Sequence, residues 1–208
     1  MPLATLRHAV VTAGSFPLLT DVTATFDRGQ VYVITGPNGA GKTSLLRVLA
    51  GLEPLARGEG NVLGYDLTTP QRREVRRHVG WLGHEGSFYD ELTVAENLEF
   101  AIRATNSDRA RLDEAIELVG LSERRHVRAK SLSAGQRRRV GLAWLLVRRA
   151  ELWLLDEPYA SLDEDGRRTF DEVLRAATSS GSTVVLTSHD AIGASVPLSY
   201  VALRGGAT

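Results

Sequence analysis

The chain has 208 residues, of which 43% are hydrophobic and 24% charged, and its 25 basic and 25 acidic side chains cancel to a formal net charge of zero. This length fits one domain or two small ones, and the neutral balance argues against a nucleic-acid binder held by bulk charge and against an acidic disordered tail. Because there is no cysteine, disulfides, thiol nucleophiles and cysteine metal sites are excluded.

The first 30 residues are short alternating segments separated by turn residues. We interpret Gly14, Pro17 and Gly29 as those turn residues, and the pattern is typical of paired antiparallel strands. We therefore expect an antiparallel sheet at the edge of the fold, formed by the N-terminal segment.

Three continuous apolar runs predict strands that are buried on both faces. They lie at Val31–Thr35, Leu152–Leu155 and Thr183–Thr187, and runs of this kind are typical of a parallel sheet. Helical spacing of apolar residues follows at 44–50, 108–119 and 136–147. This alternation predicts an α/β fold with a mostly parallel core sheet. The polar, helical stretch at 85–132 predicts a helical subdomain inserted into a single domain that spans residues 1–208.

Residues 36–43 read GPNGAGKT and match the phosphate-loop pattern G-x-x-x-x-G-K-[ST]. A chance glycine-rich turn is the alternative, but a predicted strand before the loop and a predicted helix after it favour phosphate binding. We expect Lys42 to act in catalysis by reaching the β- and γ-phosphates of ATP, and Thr43 to ligate Mg²⁺. The predicted nucleotide-binding residues are Gly36, Pro37, Asn38, Gly39, Ala40, Gly41, Lys42, Thr43 and Ser44.

Two acids end the second apolar run, which continues as LWLLDEP at 152–158. The carboxyl end of this strand is expected at the same edge of the sheet as the phosphate loop. Asp156 is then placed to hold the metal, directly or through water, and Glu157 to polarise the attacking water as a catalytic residue. The alternative is that the two acids form a solvated turn. The phosphate loop in the same chain favours the catalytic interpretation over this one.

Residues 132–136 read LSAGQ, which resembles the LSGGQ signature of the ABC-type ATPases. A serine at a helix start and a glycine that exposes its N–H suit a phosphate, although the stretch could also be an ordinary helix cap. The resemblance covers about residues 3–203 and implies a P-loop NTPase with a parallel core, an N-terminal antiparallel β subdomain and a helical insertion. In that family the signature completes the site of the opposite subunit in a head-to-tail dimer that holds two ATP molecules. The residues implied to act in this way are Leu132, Ser133, Ala134, Gly135 and Gln136.

Two further stretches resemble loops of the same family. Ser161, Leu162 and Asp163 look like the D-loop that crosses the dimer interface. His189, which follows the third apolar run, looks like the catalytic switch histidine that contacts the γ-phosphate.

Two positions depart from the family pattern. His84 stands where the Q-loop glutamine is usual; imidazole can ligate a metal or orient water but lacks the paired donor and acceptor of an amide, so the role of this position is open. Ala13 stands where an aromatic residue usually stacks on adenine. Phe16 is the nearest substitute, and the alternative is that it is a turn residue packed on the sheet.

Within the family, the LGH at the Q-loop, the LSAGQ signature and the chain length resemble the haem-export ATPases of cytochrome c maturation. This implies ATP and Mg²⁺ as cofactors, a dimer with a second copy or a paralogue, and an integral membrane transporter subunit as partner. It also implies a place at the cytoplasmic face of the membrane through that subunit. An ATPase of another small drug or lipid exporter, a soluble assembly factor and a nucleotide-switched binding module are the alternatives.

Other surface features bear on partners. Arginine clusters at 72–77, 124–128 and 137–139 are interleaved with acids and lack aromatic platforms, so we expect solvated helix faces and no nucleic acid.

Phe88 and Tyr89 lie where family members receive the membrane subunit, and are expected either as exposed anchors or as part of the helical lobe. No apolar run has the length of a signal peptide or a membrane span, so we expect no direct membrane insertion. The end of the chain soon after His189 predicts no regulatory or fused membrane domain.

Overall fold

A computed structural model describes residues 2–14, 16–83, 88–159, 162–188 and 196–204 of the chain. Within these ranges it contains nine β-strands and five α-helices. The strands are β1 Ala4–Ala13, β2 Phe16–Phe26, β3 Val31–Thr35, β4 Arg57–Val62, β5 Tyr65–Asp66, β6 Val79–Leu82, β7 Leu152–Leu155, β8 Thr183–Thr187 and β9 Leu198–Ala202. The helices are α1 Lys42–Leu49, α2 Val94–Thr105, α3 Arg111–Leu118, α4 Ala134–Arg148 and α5 Glu164–Ser179, with 3₁₀ helices at Pro70–Arg77, Ser122–Arg124 and Ala129–Ser131.

The larger sheet is parallel, with the five described strands in the order β6-β7-β8-β3-β9. Its side chains alternate between two hydrophobic cores. Val31 and Val33 face the core shared with the helical lobe, whereas Tyr32 and Ile34 face the core shared with the antiparallel sheet. Because both faces are buried, the strands have continuous apolar sequences, and the three strands predicted at β3, β7 and β8 are confirmed.

The N-terminal strands form an antiparallel sheet, as predicted, with the order β2-β1-β4-β5 in the described chain. It is a separate sheet that also takes up β4 and β5 from beyond residue 30, and not an edge of the parallel sheet. The prediction of a turn at Pro17 is wrong, since this residue lies in β2 opposite Thr12. β2 is an edge strand, and edge strands are where a sheet tolerates proline, which has no N–H to donate.

The helical lobe consists of α2 and α3, which both pack against α4. The predicted apolar face of α3 is confirmed, since Leu112, Ala115 and Ile116 are buried. Helix α4 also contacts α5 and β6, so it joins the lobe to the parallel sheet. In the described part of the chain, none of the helices is both long and apolar enough to cross a membrane.

The carboxyl ends of three strands meet at one edge of the parallel sheet. β3 ends at Thr35 and runs into the phosphate loop, β7 ends at Leu155 and runs into the acidic pair, and β8 ends at Thr187. β8 lies between the other two strands. Parallel sheets bind ligands at this edge, and the candidate site is formed here.

Candidate active site

The phosphate loop depends on glycine at the positions where its backbone turns. Gly36, Gly39 and Gly41 have φ values of 149°, 78° and 90°, in the region that L side chains rarely adopt. A Cβ on Gly41 would also lie 2.2 Å from the carbonyl oxygen of Leu18. Gly41 precedes the first residue of α1, so the loop places backbone N–H groups at a helix N-terminus, where anions are favoured.

Lys42 is buried at the first position of α1, with 8% of its surface exposed. Its Nζ donates hydrogen bonds to the carbonyl oxygens of Gly36 at 2.8 Å and Pro37 at 3.1 Å. The ammonium group is therefore held against the start of the loop by the loop's own backbone.

Asp156, which follows β7, contacts α1 and the end of β8 through its carboxylate. Thr43 Oγ1 donates to Asp156 Oδ2 at 2.9 Å, and Thr187 Oγ1 donates to Asp156 Oδ1 at 2.7 Å. The structure thus brings together Thr43 and Asp156, the two predicted metal ligands, as a partly buried pair of oxygen groups. Oxygen donors of this kind suit a hard cation such as Mg²⁺, which typically takes one or two protein ligands beside substrate phosphates.

Glu157 follows Asp156 and lies beside the phosphate loop. Its backbone N–H donates to Thr187 Oγ1 at 2.8 Å, and its φ of 48° is in the left-handed region. It shares an open pocket of about 420 Å³ with the loop. The residues that line this pocket are Pro17, Leu18, Asn38, Gly39, Gly41, Lys42, Thr43, Ser44 and Glu157.

The candidate adenine contact lies next to this pocket. Ala13 is the last residue of β1 and pairs with Phe16, the first residue of β2. Phe16 is 75% exposed, so it does not pack on the sheet, and the next two residues, Pro17 and Leu18, line the pocket. Stacking of adenine on Phe16 stays a prediction.

The signature residues form the start of α4. Ser133 Oγ accepts a hydrogen bond from the Gln136 backbone N–H at 3.2 Å, and Gln136 Oε1 accepts one from the Ser133 N–H at 3.1 Å. This capping box confirms the predicted helix cap. A Cβ on Gly135 would have no atom within 4 Å, so the backbone at this position is open. Action on the site of a second subunit stays a prediction.

Several predicted site residues lie elsewhere or outside the described ranges. His84, Ser161 and His189 fall outside the described residues. Leu162 is buried. Asp163 caps α5, because its Oδ1 accepts a hydrogen bond from the Gly166 N–H at 2.7 Å.

The structure adds two residues that the sequence analysis missed. Thr187 was noted only as the end of a strand, yet it contacts both Asp156 and Glu157. Arg138 was expected on a solvated face, which is wrong, since its guanidinium donates to the backbone carbonyls that follow β7. Only the arrangement of β7, β8 and α4 in space reveals these contacts.

Phe88 and Tyr89 follow different alternatives for this segment, since Phe88 packs in the helical lobe and Tyr89 is exposed. Phe88 packs against the helical lobe and lies 5.0 Å below the guanidinium of Arg137. Tyr89 is 52% exposed and meets Phe100 edge-on, with ring centroids 5.0 Å apart. One aromatic residue thus stabilises the lobe, and the other faces outward.

Comparison with known proteins identifies the family. The model of the ABC transporter family matches residues 19–160. The chain is 40% identical over 193 residues to the cytochrome c biogenesis ATP-binding export protein CcmA 2 of Salmonella paratyphi A, covering 91% of each chain. The CcmA protein of Methylococcus capsulatus is also 40% identical, over 84% of this chain and 85% of its own.

The fold has matching solved structures. A structure described as the ATP-binding subunit of an ABC transporter superposes with a TM-score of 0.80 at 25% identity, covering 90% of this chain and 79% of that one. The predicted P-loop fold, with its parallel and antiparallel sheets and its helical subdomain, is confirmed. The chain belongs to the ABC transporter family.

Proposed function

We propose that this chain is the ATP-hydrolysing subunit of a transporter that exports haem for cytochrome c biogenesis. One observation carries the proposal. Thr43, Asp156 and Glu157 meet beside an intact phosphate loop, in a chain that is 40% identical over 91% of its length to a protein named as a cytochrome c biogenesis ATP-binding export protein.

ATP would bind with its phosphates on the loop and on the N-terminus of α1. Lys42, already held at this point by the carbonyls of Gly36 and Pro37, would exchange those contacts for the β- and γ-phosphates. Exchange of neutral carbonyls for charged phosphate oxygens strengthens the hydrogen bonds of an ammonium group.

Thr43 and Asp156 would hold Mg²⁺, because their oxygens already lie 2.9 Å apart at the carboxyl edge of the sheet. A bound Mg²⁺ neutralises charge on the phosphate groups. Thr187 then fixes the orientation of the Asp156 carboxylate through its hydrogen bond to Oδ1.

Glu157 would polarise the attacking water, since it lines the pocket together with Lys42 and Thr43. Positioning and charge neutralisation supply most of the catalysis of phosphoryl transfer, without a covalent intermediate. To His189 we assign contact with the γ-phosphate, on the family resemblance.

The signature loop would complete the site of a second copy of the chain. The start of α4 is capped by Ser133 and open at Gly135, so its N–H groups can face a phosphate. The dimer would then act at the cytoplasmic face of the membrane, attached through an integral membrane subunit.

The role of Glu157 is tested by phosphate release from the purified protein. Glu157→Gln should lower turnover by about 10²–10⁴-fold while ATP affinity changes by less than about threefold, because the amide keeps the size but not the basicity. Glu172→Gln, the same change at an exposed position of α5, is the control. Loss of ATP affinity with Glu157→Gln would indicate a metal or structural role instead.

The transport role is tested by purifying Glu157→Gln with ATP from gently solubilised membranes. We expect a multi-span membrane subunit together with cytochrome-maturation proteins or bound haem. Recovery of a different permease would indicate a different transported substrate and would leave the ATPase assignment unchanged. A chain recovered without any membrane protein would favour a soluble assembly factor.

A further inference from the structure

The turn that follows β7 holds Glu157 in an unfavourable backbone conformation. Glu157 has a φ of 48°, in the left-handed region that non-glycine residues occupy only when the surrounding structure imposes it. The direction of its carboxylate depends on this conformation. What holds the turn therefore also sets where the proposed base points.

One side of the turn is held by β8. The Glu157 N–H donates to Thr187 Oγ1 at 2.8 Å, and the same hydroxyl donates to Asp156 Oδ1 at 2.7 Å. These two bonds fix the N–H group and the Asp156 side chain. They leave the carbonyl groups of the turn to be held from elsewhere.

Arg138 of α4 holds those carbonyl groups from the other side. Its Nη2 donates to the carbonyl oxygens of Asp156 at 3.0 Å and Glu157 at 2.6 Å, and its Nε donates to that of Pro158 at 3.1 Å. A guanidinium presents its donors in a rigid plane. It can thus fix three successive carbonyls relative to one another, whereas the donors of a lysine ammonium group rotate about its flexible stem.

The guanidinium of Arg138 is a charged group that is partly buried. Burial lowers the pKa of its guanidinium, and the carboxylates of Asp156 and Glu157 only partly offset this effect. Arginine nevertheless stays protonated in proteins. A charged donor forms stronger hydrogen bonds to carbonyls than a neutral one. The contacts of Arg138 are therefore suited to imposing a conformation on the turn.

We propose that Arg138 is a positioning residue, which orients Glu157 for hydrolysis by holding the backbone of residues 156–158. The proposal rests on the proposed function, since it requires Glu157 to act in hydrolysis. Arg138 lies on the helix that begins with the signature loop. A displacement of α4 would thus reach the base directly through this side chain.

The test compares Arg138→Lys and Arg138→Gln with Arg148→Lys in the full chain. Arg148 is the matched control, because it is a partly buried arginine of the same helix whose pKa burial also lowers. We expect kcat for ATP to fall by about 10- to 100-fold in both Arg138 variants, with KM and ATP affinity changed less than about threefold. Arg148→Lys should keep kcat within about twofold.

A second measurement separates orientation of Glu157 from general weakening of the fold. In a Glu157→Gln background, addition of Arg138→Lys should lower turnover by less than about twofold, since residues that act as a unit are not additive. Additive losses, or wild-type kcat in Arg138→Lys, would overturn the proposal.

Amide hydrogen exchange supplies a readout that does not need turnover. Exchange of a peptide covering residues 153–159 should become about tenfold faster in Arg138→Lys and stay unchanged in Arg148→Lys. Unchanged exchange in both would overturn the proposal. If exchange is faster in Arg138→Lys than in the wild type but the wild type hydrolyses no ATP, the proposed function itself has failed. The positioning role then fails with it.

Discussion

At the scale of single residues, the two lysines of the chain provide a clean test of the phosphate loop. Lys42 is buried and bonded to loop carbonyls, whereas Lys130 is exposed and pairs with Glu91. Lys42→Ala should weaken ATP binding by about 10- to 100-fold, because it removes charge-assisted contacts to the phosphates. Calorimetry measures the affinity, and Lys130→Ala should leave it unchanged. Wild-type affinity in Lys42→Ala would refute the assignment of the loop.

Thr187 links the proposed metal ligand to the proposed base, and its hydroxyl can be removed without changing the shape of the side chain. Thr187→Val loses the bond to Asp156 and the bond from the Glu157 N–H. We expect about a tenfold lower kcat and a weaker response to Mg²⁺, as for the outer partners of other metal ligands.

The control for Thr187 lies in the same strand. Thr183 is also buried in β8, and its hydroxyl accepts a hydrogen bond from Gly29 N–H at 2.9 Å. It is at the amino end of the strand, away from the site. Thr183→Val should cost comparable stability without changing kcat, whereas equal kinetic losses in both variants would indicate only a weakened sheet.

At the scale of elements, the sequence predicts what local burial determines. β3, β7 and β8 are buried on both faces, and this alone gives their apolar runs. β4, with the sequence RGEGNV, has no such run. It is a strand because it pairs with β1, a contact between distant parts of the chain that no local pattern encodes.

The candidate site divides in the same way. The phosphate loop and the acidic pair could be predicted, since each motif is continuous in sequence. The contacts of Thr187 and Arg138 could not, because they require β8 to lie between β7 and β3 and α4 to pack near the end of β7. Neither arrangement follows from the sequence of any one element.

Helix α2 is tied to the segment before it by one buried amide. Asn97 is fully buried, its Nδ2 donates to the carbonyls of Tyr89 and Thr93 at 2.9 and 3.0 Å, and its Oδ1 accepts from the Tyr89 N–H at 2.7 Å. Asn97→Ala leaves the Tyr89 N–H without this acceptor, whereas the carbonyls of Tyr89 and Thr93 keep hydrogen bonds from the backbone N–H groups of Leu92 and residue 97. We expect a loss of about 1–3 kcal/mol in the free energy of unfolding, measured with urea.

Arg103→Ala on the exposed face of α2 is the control for Asn97. In the part of the chain that the structure describes, the Arg103 side chain forms a surface ion pair with Glu99 at 3.7 Å, so its loss should cost less than about 0.5 kcal/mol. Equal urea midpoints for Asn97→Ala and the wild type would show that the segment is held by other contacts.

At the scale of the whole molecule, the helical lobe carries an aromatic patch, defined as Tyr89, Phe100 and Trp144. Tyr89 and Phe100 are 52% and 44% exposed, and the rings of Phe100 and Trp144 are 6.2 Å apart. Contiguous exposed apolar side chains mark interaction surfaces. Arg137 binds Asp90 at 2.7 Å, which joins the segment of this patch to α4. A partner bound at the patch would thus contact residues joined to α4, the helix whose Arg138 bonds the turn of the proposed base.

The patch is therefore the surface where we expect the membrane subunit to bind. Tyr89→Ala combined with Phe100→Ala should reduce recovery of the chain with membranes by about tenfold or more, because exposed aromatic anchors dominate binding energy. Basal ATPase activity should stay within about twofold, since neither side chain lines the nucleotide pocket. Tyr200→Ala, which removes an exposed aromatic residue from β9, is the matched control. Unaltered recovery of the double variant would show that the membrane subunit binds another face of the molecule.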